Sequence, residues 1–316
     1  MPRILFVKTS SLGDVIHNCP AVSEAARRVP GARIDWMVED AFAEVVALHR
    51  DVERVIPVAV RRWRAAPLAG STWSEIAAFR RALRGVRYDA VIDTQGLLKS
   101  ALVAACASGP RHGLDAASAR EPLAARFYHH RHRVAQGRHA VERNRQLAAA
   151  ALGYASQGPC DYGLAAAGTP PLKPREPFAL LLSMSSRADK LWPEEHWRAL
   201  GARLAGCGVQ CVLPWGSDEE RRRCQRLAGA IEGALVPRHM GLAELARLML
   251  GARCAVGVDT GLAHLAAALG VPVAGIYGGS DPALTGIYGA PRSCNLGAAG
   301  APPGPEAVFA ALAGAL

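Results

Sequence analysis

No apolar run in this chain approaches the ~18 residues that a helical bilayer crossing needs, so no stretch reads as a membrane span. There is no Asp-x-Asp pair and no His/Cys ligand cluster, the patterns that commonly hold a divalent metal. Eight cysteines are scattered at positions 19, 106, 160, 207, 211, 224, 254 and 294. Only Cys207 and Cys211 are close, as C-x3-C without a companion pair, so the cysteines read as small buried side chains rather than disulfides or ligands. The N-terminus, MPRILFVKTSS, lacks the h-region and cleavage site of a secretory signal, and a cytoplasmic location is expected. Short-period repeats are missing, which argues against a solenoid. Lysine is scarce: only positions 8, 99, 173 and 190 carry it, among 37 basic residues. Where arginine is used so freely, a lysine inside a motif suggests a need for a compact ammonium.

The chain does have length and charge. With 316 residues, 50% hydrophobic and 20% charged, it can form two α/β domains with sizeable cores. The balance of 37 basic against 27 acidic residues gives a net charge of +10. An anionic partner follows: nucleic acid, an anionic membrane or a phosphorylated substrate.

Strand and helix patterns alternate through the first half. Ile4–Val7 reads as a buried strand running into the polar loop Lys8–Asp14, and a helix follows from Val15 to Arg28. Pro20 lies inside it, so the helix either kinks there or restarts with proline in its first turn. Further strands are expected at 34–38, 52–58 and 90–93, and helices at 41–48, 73–84, 97–107 and 140–152. The segment 111–145 is dense in Arg and His and holds five of the ten histidines. Residues 168–177 carry four prolines in polar company and read as a linker. After it the alternation restarts: strands at 178–182, 209–213, 254–258 and 271–277, helices at 192–204, 218–228, 242–250 and 262–269, and a C-terminal helix at 305–316.

The second half centres on CAVGVDTGLAHLAAALGVPVAGIYGGSDP, residues 254–282. A short buried strand delivers Asp259-Thr260-Gly261 to a helix start, where free N–H groups and a partial positive charge suit phosphate. The pattern is α/β: two doubly wound Rossmann-like domains facing each other, with ligands outside the carboxyl ends of the strands in a shared cleft. The expected boundaries are 1–168, 169–302 and a C-terminal helix, 303–316. A short Pro-rich linker between two such halves also suits hinge closure.

Eight ordered blocks carry a resemblance: KTSSLGDVIHNCPA (8–21), RRWR (61–64), DTQGLLKSA (93–101), HGLDAASAREPLA (112–124), HAVERNRQL (139–147), DKLWPEEHW (189–197), LPWGSDEE (213–220) and VDTGLAHLAAAL (258–269). Together they resemble the lipopolysaccharide heptosyltransferases of glycosyltransferase family 9, over nearly the whole chain, and RRWR and HAVER resemble the branch that adds the first heptose. The resemblance implies a GT-B fold and inverting transfer of heptose from ADP-heptose to the inner Kdo sugar of Kdo-lipid A, with no metal and no cofactor. It also implies peripheral attachment to the cytoplasmic face of the inner membrane.

Asp14, on spacing alone a helix cap beside Gly13, becomes the implied general base. Lys190 would meet the donor diphosphate, with Thr260 and Gly261 supplying hydroxyl and N–H contacts. Ser185 and Ser186 would add hydroxyls, Glu220 would receive the ribose, and Met240 would lie near adenine or in the core. Asp259 would orient the phosphate loop or contact heptose, and His264, one turn inside, is either a packing or a donor-site histidine. Lys8, Ser10, Ser11 and Gly13 would shape the acceptor side or hold the base loop. Arg61, Arg62 and Arg64 suit the acceptor's phosphates and carboxylates, since guanidinium forks bind such groups bidentately; Arg120, His139 and Arg143 join them. Two rivals are another two-domain enzyme, such as the family's second heptosyltransferase or a sugar-nucleotide epimerase, and a nucleic-acid-binding module that stacks bases on Trp63. No nucleic-acid-binding signature accompanies Trp63, and nucleic acid is not expected as a partner.

Overall fold

A computed structural model describes residues 1–316. The chain divides into two compact units, Met1–Gly163 and Leu164–Leu316. The break falls just ahead of the Pro-rich segment rather than at Gly168.

The first unit contains β1 (Arg3–Val7), α1 (Leu12–Arg28), β2 (Arg33–Glu39), α2 (Ala43–Val46), β3 (Val52–Val58), α3 (Val60–Ala65), α4 (Gly70–Arg84), β4 (Ala90–Asp93), α5 (Leu98–Ala104), β5 (Arg111–Leu114), β6 (His130–His132) and α6 (Ala140–Leu152). Its six strands are all parallel, in the order β3-β2-β1-β4-β5-β6. Successive crossovers therefore run one way from β1 and the other way from β4, which puts the topological switch point between them. Leu5, Val7, Met37 and Val91 project from one face onto Phe79 and Leu83 of α4 and Val103 of α5. Full burial of each such side chain stabilises the fold by roughly 1.5–3 kcal/mol.

The second unit contains β7 (Phe178–Leu182), α7 (Glu194–Gly206), β8 (Gln210–Val212), α8 (Asp218–Ala228), α9 (Leu242–Leu250), β9 (Cys254–Val258), α10 (Gly261–Ala268), β10 (Val273–Ile276), α11 (Pro282–Thr285), β11 (Cys294–Leu296) and α12 (Pro305–Ala311). The order is β11-β10-β9-β7-β8, again all parallel, with the switch point between β7 and β9. Trp192 and Trp197 meet edge to face at 5.0 Å in its core.

Four departures from the sequence patterning have physical causes. RRWR is helical, as α3, because Trp63 turns inward toward Phe79 at 5.8 Å while the arginines face out. The strands β5 (RHGL) and β6 (HRH) close the sheet edge and are too polar and short to show a period-2 signal. The C-terminal helix, α12, belongs to the second unit, with Val308 and the adjoining Leu312 in its core. Pro20 neither breaks nor restarts α1, which runs unbroken from Leu12 to Arg28. Proline lacks the N–H that would meet the Ile16 carbonyl; around that turn Asn144 Nδ2 donates to the His17 carbonyl at 3.0 Å and His49 Nε2 lies 3.2 Å from the Cys19 carbonyl.

Candidate active site

In the first unit the site grows from the end of β1, at the switch point. Ser11 caps α1 and Asp14 is its third residue. Asp14 Oδ2 accepts from the Ser11 N–H at 2.9 Å and the Ser11 hydroxyl at 3.0 Å. Cap and base are therefore compatible roles: one carboxylate oxygen fixes the helix start and Oδ1 is left without a hydrogen bond. The side chain is only partly buried, so an incoming hydroxyl can reach it.

The loop that presents Asp14 is clasped by the loop after β4. Gln95 Oε1 accepts from the Thr9 N–H at 2.7 Å and the Thr9 hydroxyl at 2.8 Å, and Gln95 Nε2 donates to the Ser10 carbonyl at 2.9 Å. Lys99 Nζ donates to Ser10 Oγ at 2.7 Å. Behind Gln95, buried Asp93 accepts from Tyr128, Ser100 and the Gln95 N–H at 2.7, 2.8 and 2.9 Å. Burial raises the Asp93 carboxyl above its usual range against these three donors. Gly113 is what lets Tyr128 in: a Cβ there would lie 2.3 Å from the ring. Gln95, Lys99 and Asp93 were not singled out from the sequence, although all sit in the DTQGLLKSA block and Lys99 is one of the rare lysines.

Lys8 is buried. Its ammonium donates to the Thr94 carbonyl at 3.0 Å and Asn144 Oδ1 at 3.4 Å, and burial lowers its pKa against the pull of Asp14 and Asp93. These bonds tie the loop after β1 to the loop after β4 and to α6. Gly13 lies within the first turn of α1.

The structure divides the arginines. Arg61, whose N–H donates to Glu39 at 2.9 Å, and Arg64 are exposed. Arg62 is already neutralised by Asp40 at 2.6 Å and Glu75 at 2.9 Å, and Trp63 donates to the same Glu75 at 2.8 Å. Arg120 is exposed. Arg143 donates to the Ser118 carbonyl at 2.6 Å, and its burial lowers its pKa. His139 is the buried cap of α6, accepting from the Val141 N–H at 3.2 Å, and stands edge-on to His17 at 5.3 Å.

In the second unit the chemistry again gathers at the carboxyl ends of the central strands. Asp259 follows β9, and its Oδ2 accepts from Lys190 Nζ at 2.6 Å and from the Ser280 hydroxyl. His264 Nε2 lies 3.5 Å from Oδ1. Burial pushes the Asp259 carboxyl up, but the hydrogen bonds from His264, Lys190 and Ser280 outweigh it and hold the group well below the ordinary carboxylate range. Ser280 was not foreseen. It arrives because Gly279 passes the Asp189 backbone so closely that a Cβ would lie 2.6 Å from the Asp189 carbonyl.

Thr260 caps α10 without engaging its hydroxyl, and the N–H groups of Gly261 and Leu262 stand open at the helix start. Ser185 Oγ donates to the Asp259 carbonyl at 3.3 Å, and Ser186 beside it is exposed. Glu220 accepts from the Gly216 N–H at 2.7 Å, while Glu219 faces solvent, which resolves which of the two acids turns toward the loop. Leu235 extends the sheet beyond β8, and the chain then passes Pro237, whose carbonyl accepts from Trp215 at 2.7 Å, to the buried Met240. The strand order thus sets Ser280, Asp259, Lys190 and Glu220 along one edge. Nowhere does the structure assemble three His, Cys, Asp or Glu side chains as a metal-holding group.

The chain is similar to known proteins. The model of glycosyltransferase family 9 (heptosyltransferase) matches residues 76–306. Lipopolysaccharide heptosyltransferase 1 of Escherichia coli strain K12 is 48% identical over 91% of this chain and 91% of its own length. The solved structure of the E. coli heptosyltransferase WaaC with ADP superposes with a TM-score of 0.90 at 43% identity, covering 99% of this chain and 100% of that one. The same enzyme with ADP-2-deoxy-2-fluoro heptose gives a TM-score of 0.85 at 45% identity, over 94% of each chain. Two parallel-sheet Rossmann-like units of GT-B type and a match across most of the length lead to one statement: the chain belongs to glycosyltransferase family 9, the heptosyltransferases.

Proposed function

We propose that this heptosyltransferase, acting in lipopolysaccharide core biosynthesis, uses ADP-heptose as donor and the inner Kdo of Kdo-lipid A as acceptor, inverts the anomeric centre, and uses Asp14 as general base. The observation that carries the donor half is the Lys190–Asp259 pair set against the open start of α10. A diphosphate there meets an ammonium, the Thr260 hydroxyl, two free N–H groups and a helix dipole. Asp259 does not repel it, because Lys190, Ser280 and His264 already engage its charge. As the glycosidic bond to phosphate breaks, the negative charge that develops on the leaving diphosphate falls on these same groups, which electrostatic stabilisation requires. Glu220 and Met240 take the nucleoside end.

On the acceptor side a sugar hydroxyl is a weak nucleophile near neutral pH. Asp14 Oδ1 accepts its proton as the new bond forms, and the Gln95–Lys99 clasp fixes where that oxygen stands. Arg61 and Arg64, the exposed members of the cluster, receive the acceptor's anionic groups. The enzyme meets its lipid from the cytoplasmic side as a peripheral protein; no helix is long and apolar enough to cross a membrane.

Incubation with ADP-heptose and Kdo-lipid A, followed by mass spectrometry of the lipid and NMR of the new linkage, tests the reading. One added heptose with inverted configuration is expected. Release of ADP with unmodified lipid would defeat it.

A further inference from the structure

We propose that Arg187 is a further catalytic residue, a guanidinium that leaves Asp189 to take the donor's diphosphate and the charge that develops on it. The inference rests on the donor reading given above and adds a residue to the same site. Lys190 and Asp259 are paired, and Asp259 is held in its ionised form, so their charges cancel. The start of α10 adds only the partial charge of a helix N-terminus. A nucleoside diphosphate brings negative charge to this place and gains one more charge as its bond to the sugar breaks. Stabilising that gain takes a donor aimed where the charge appears, and the Lys190–Asp259 pair has no net positive charge to offer it.

Arg187 stands where such a group is required. The loop after β7 is tied to Asp259 twice. Ser185 Oγ donates to the Asp259 carbonyl at 3.3 Å, and Lys190 Nζ donates to its carboxylate at 2.6 Å. Residues 186–189 form an exposed crest between these two anchors, and Arg187 is the cation on it. Its guanidinium grips Asp189 with two bonds, Nε to Oδ1 at 3.0 Å and Nη2 to Oδ2. Asp189 in turn lies against Gly279, where a Cβ would be 3.0 Å from Oδ2, and the next residue, Ser280, donates to Asp259. One short path of contacts therefore runs from Arg187 to the Lys190–Asp259 pair. The hydrogen bonds to Asp189, then the charges of Asp189 and Asp259, hold the Arg187 guanidinium above its ordinary pKa, so the field of Asp259 reaches it.

The grip on Asp189 shows both what the guanidinium can bind and why it can let go. A fork that fits a carboxylate with two parallel bonds fits a phosphate in the same way, and a diphosphate offers it more charge. The present pair is exposed on both sides and joins residues two apart on one loop. Such a pair contributes little in water and ties no separate elements together. Exchange of Asp189 for the diphosphate therefore loses little and turns a surface ion pair into a charge-assisted contact beside Lys190.

A cycle of four full-length proteins tests it: wild type, Arg187→Ala, Asp189→Asn and the double variant, with calorimetry on ADP and steady-state kinetics on ADP-heptose. Arg187→Ala alone also leaves Asp189 uncompensated beside the diphosphate, so the double variant is the one that decides. With Asp189→Asn in place, loss of Arg187 should still weaken ADP binding about tenfold or more and lower kcat about tenfold or more. Asp189→Asn alone should bind ADP more tightly than wild type, because its arginine is already free. Arg187→Lys keeps the charge without the fork and should fall between wild type and Arg187→Ala. Both positions are exposed, so circular dichroism and Tm should be unchanged throughout. If ADP affinity and kcat are insensitive to Arg187 in the Asp189→Asn background, the proposal is overturned and the pair is a surface salt bridge. Failure of wild type to bind ADP would be a different result and would defeat the donor reading itself.

Discussion

Lys190 Nζ sits 2.6 Å from Asp259 Oδ2, joining the loop after β7 to the loop after β9 across the switch point of the second sheet. The pair is mostly buried, so the lysine is held in place before any ligand arrives. Lys190→Ala removes the ammonium held against Asp259 beside the open start of α10. Affinity for ADP and for ADP-heptose should fall by about 10–100-fold, the cost of a lost charge-assisted hydrogen bond. Titration calorimetry gives both constants, and unchanged affinity would remove the diphosphate from this place.

Gln95 touches no substrate in this scheme, yet it holds Thr9 and Ser10 by both ends of its amide. Gln95→Ala should let the base loop drift. A kcat loss of about tenfold or more is expected, since misplacement of ~1 Å can cost 10²-fold. The donor's Kd should not change, because Gln95 belongs to the other unit. A purely structural role would instead lower Tm with kcat preserved, and comparing the two readouts decides between them.

The arginine cluster should separate into two classes. Arg61→Ala and Arg64→Ala should each raise the acceptor's KM by about tenfold or more, as loss of a hydrogen bond to a charged group does, with little change for ADP-heptose. Arg62→Ala should leave that KM near wild type and lower Tm, because its partners are Asp40 and Glu75. Steady-state kinetics on the three variants would expose an error if Arg62 behaved like its neighbours.

The histidines at the β5–β6 edge should make stability depend on pH. His112 stacks on His130 at 4.6 Å, its Nδ1 lies 3.1 Å from His132 Nε2, and His129 with Arg111 flanks the group. Burial, then the charges that His130, His132 and His129 would carry, push the His112 imidazole down to about 4. In the unfolded chain it would titrate near ~6.5. Between those values the unfolded chain binds the extra proton, so the contribution to stability is full above about 6.5 and is lost as pH falls toward about 4. His112→Phe keeps the stack without the charge, and its Tm should fall less over that window. A scanning-calorimetry series giving parallel slopes for the two proteins would contradict this.

Much of this architecture is written in the sequence where burial is one-sided or complete. The apolar runs at Phe178–Leu182 and Cys254–Val258 fall on central strands with their bounds intact, because both faces are covered and the residues must all be apolar. The edge strand His130–His132 is invisible for the converse reason: one neighbour and two exposed residues leave it no hydrophobic period. The same contrast holds in the site. Asp14 and Thr260 stand at strand–loop–helix junctions that spacing marks as helix starts, and the roles given to Asp14 and Lys190 come from the resemblance. Ser280 and Gln95 make their contacts only through tertiary approach, past Gly279 in one case and from a loop 80-odd residues away in the other, and no local pattern announces such contacts.

The sharpest test concerns Asp14, whose two carboxylate oxygens do different things. Oδ2 is committed to Ser11, by its N–H at 2.9 Å and its hydroxyl at 3.0 Å, and so to the start of α1. Oδ1 is open. Asn at this position retains a carbonyl oxygen that can accept the same two bonds, so α1 should start where it does now and Tm should change little. What asparagine cannot do is take a proton from the acceptor hydroxyl. General-base assistance is typically worth ~10²–10⁴ in rate, and Asp14→Asn should lower kcat by that order. Donor affinity should be intact, because Lys190 and the α10 start lie in the other unit. Asp14→Ala should add a loss of helix capping, about 1 kcal/mol, to the same loss of rate. Comparing the two variants separates the oxygens: asparagine isolates the base and alanine removes base and cap together. Near-native kcat in Asp14→Asn would leave Asp14 as a cap alone and send the search for the base elsewhere in the first unit.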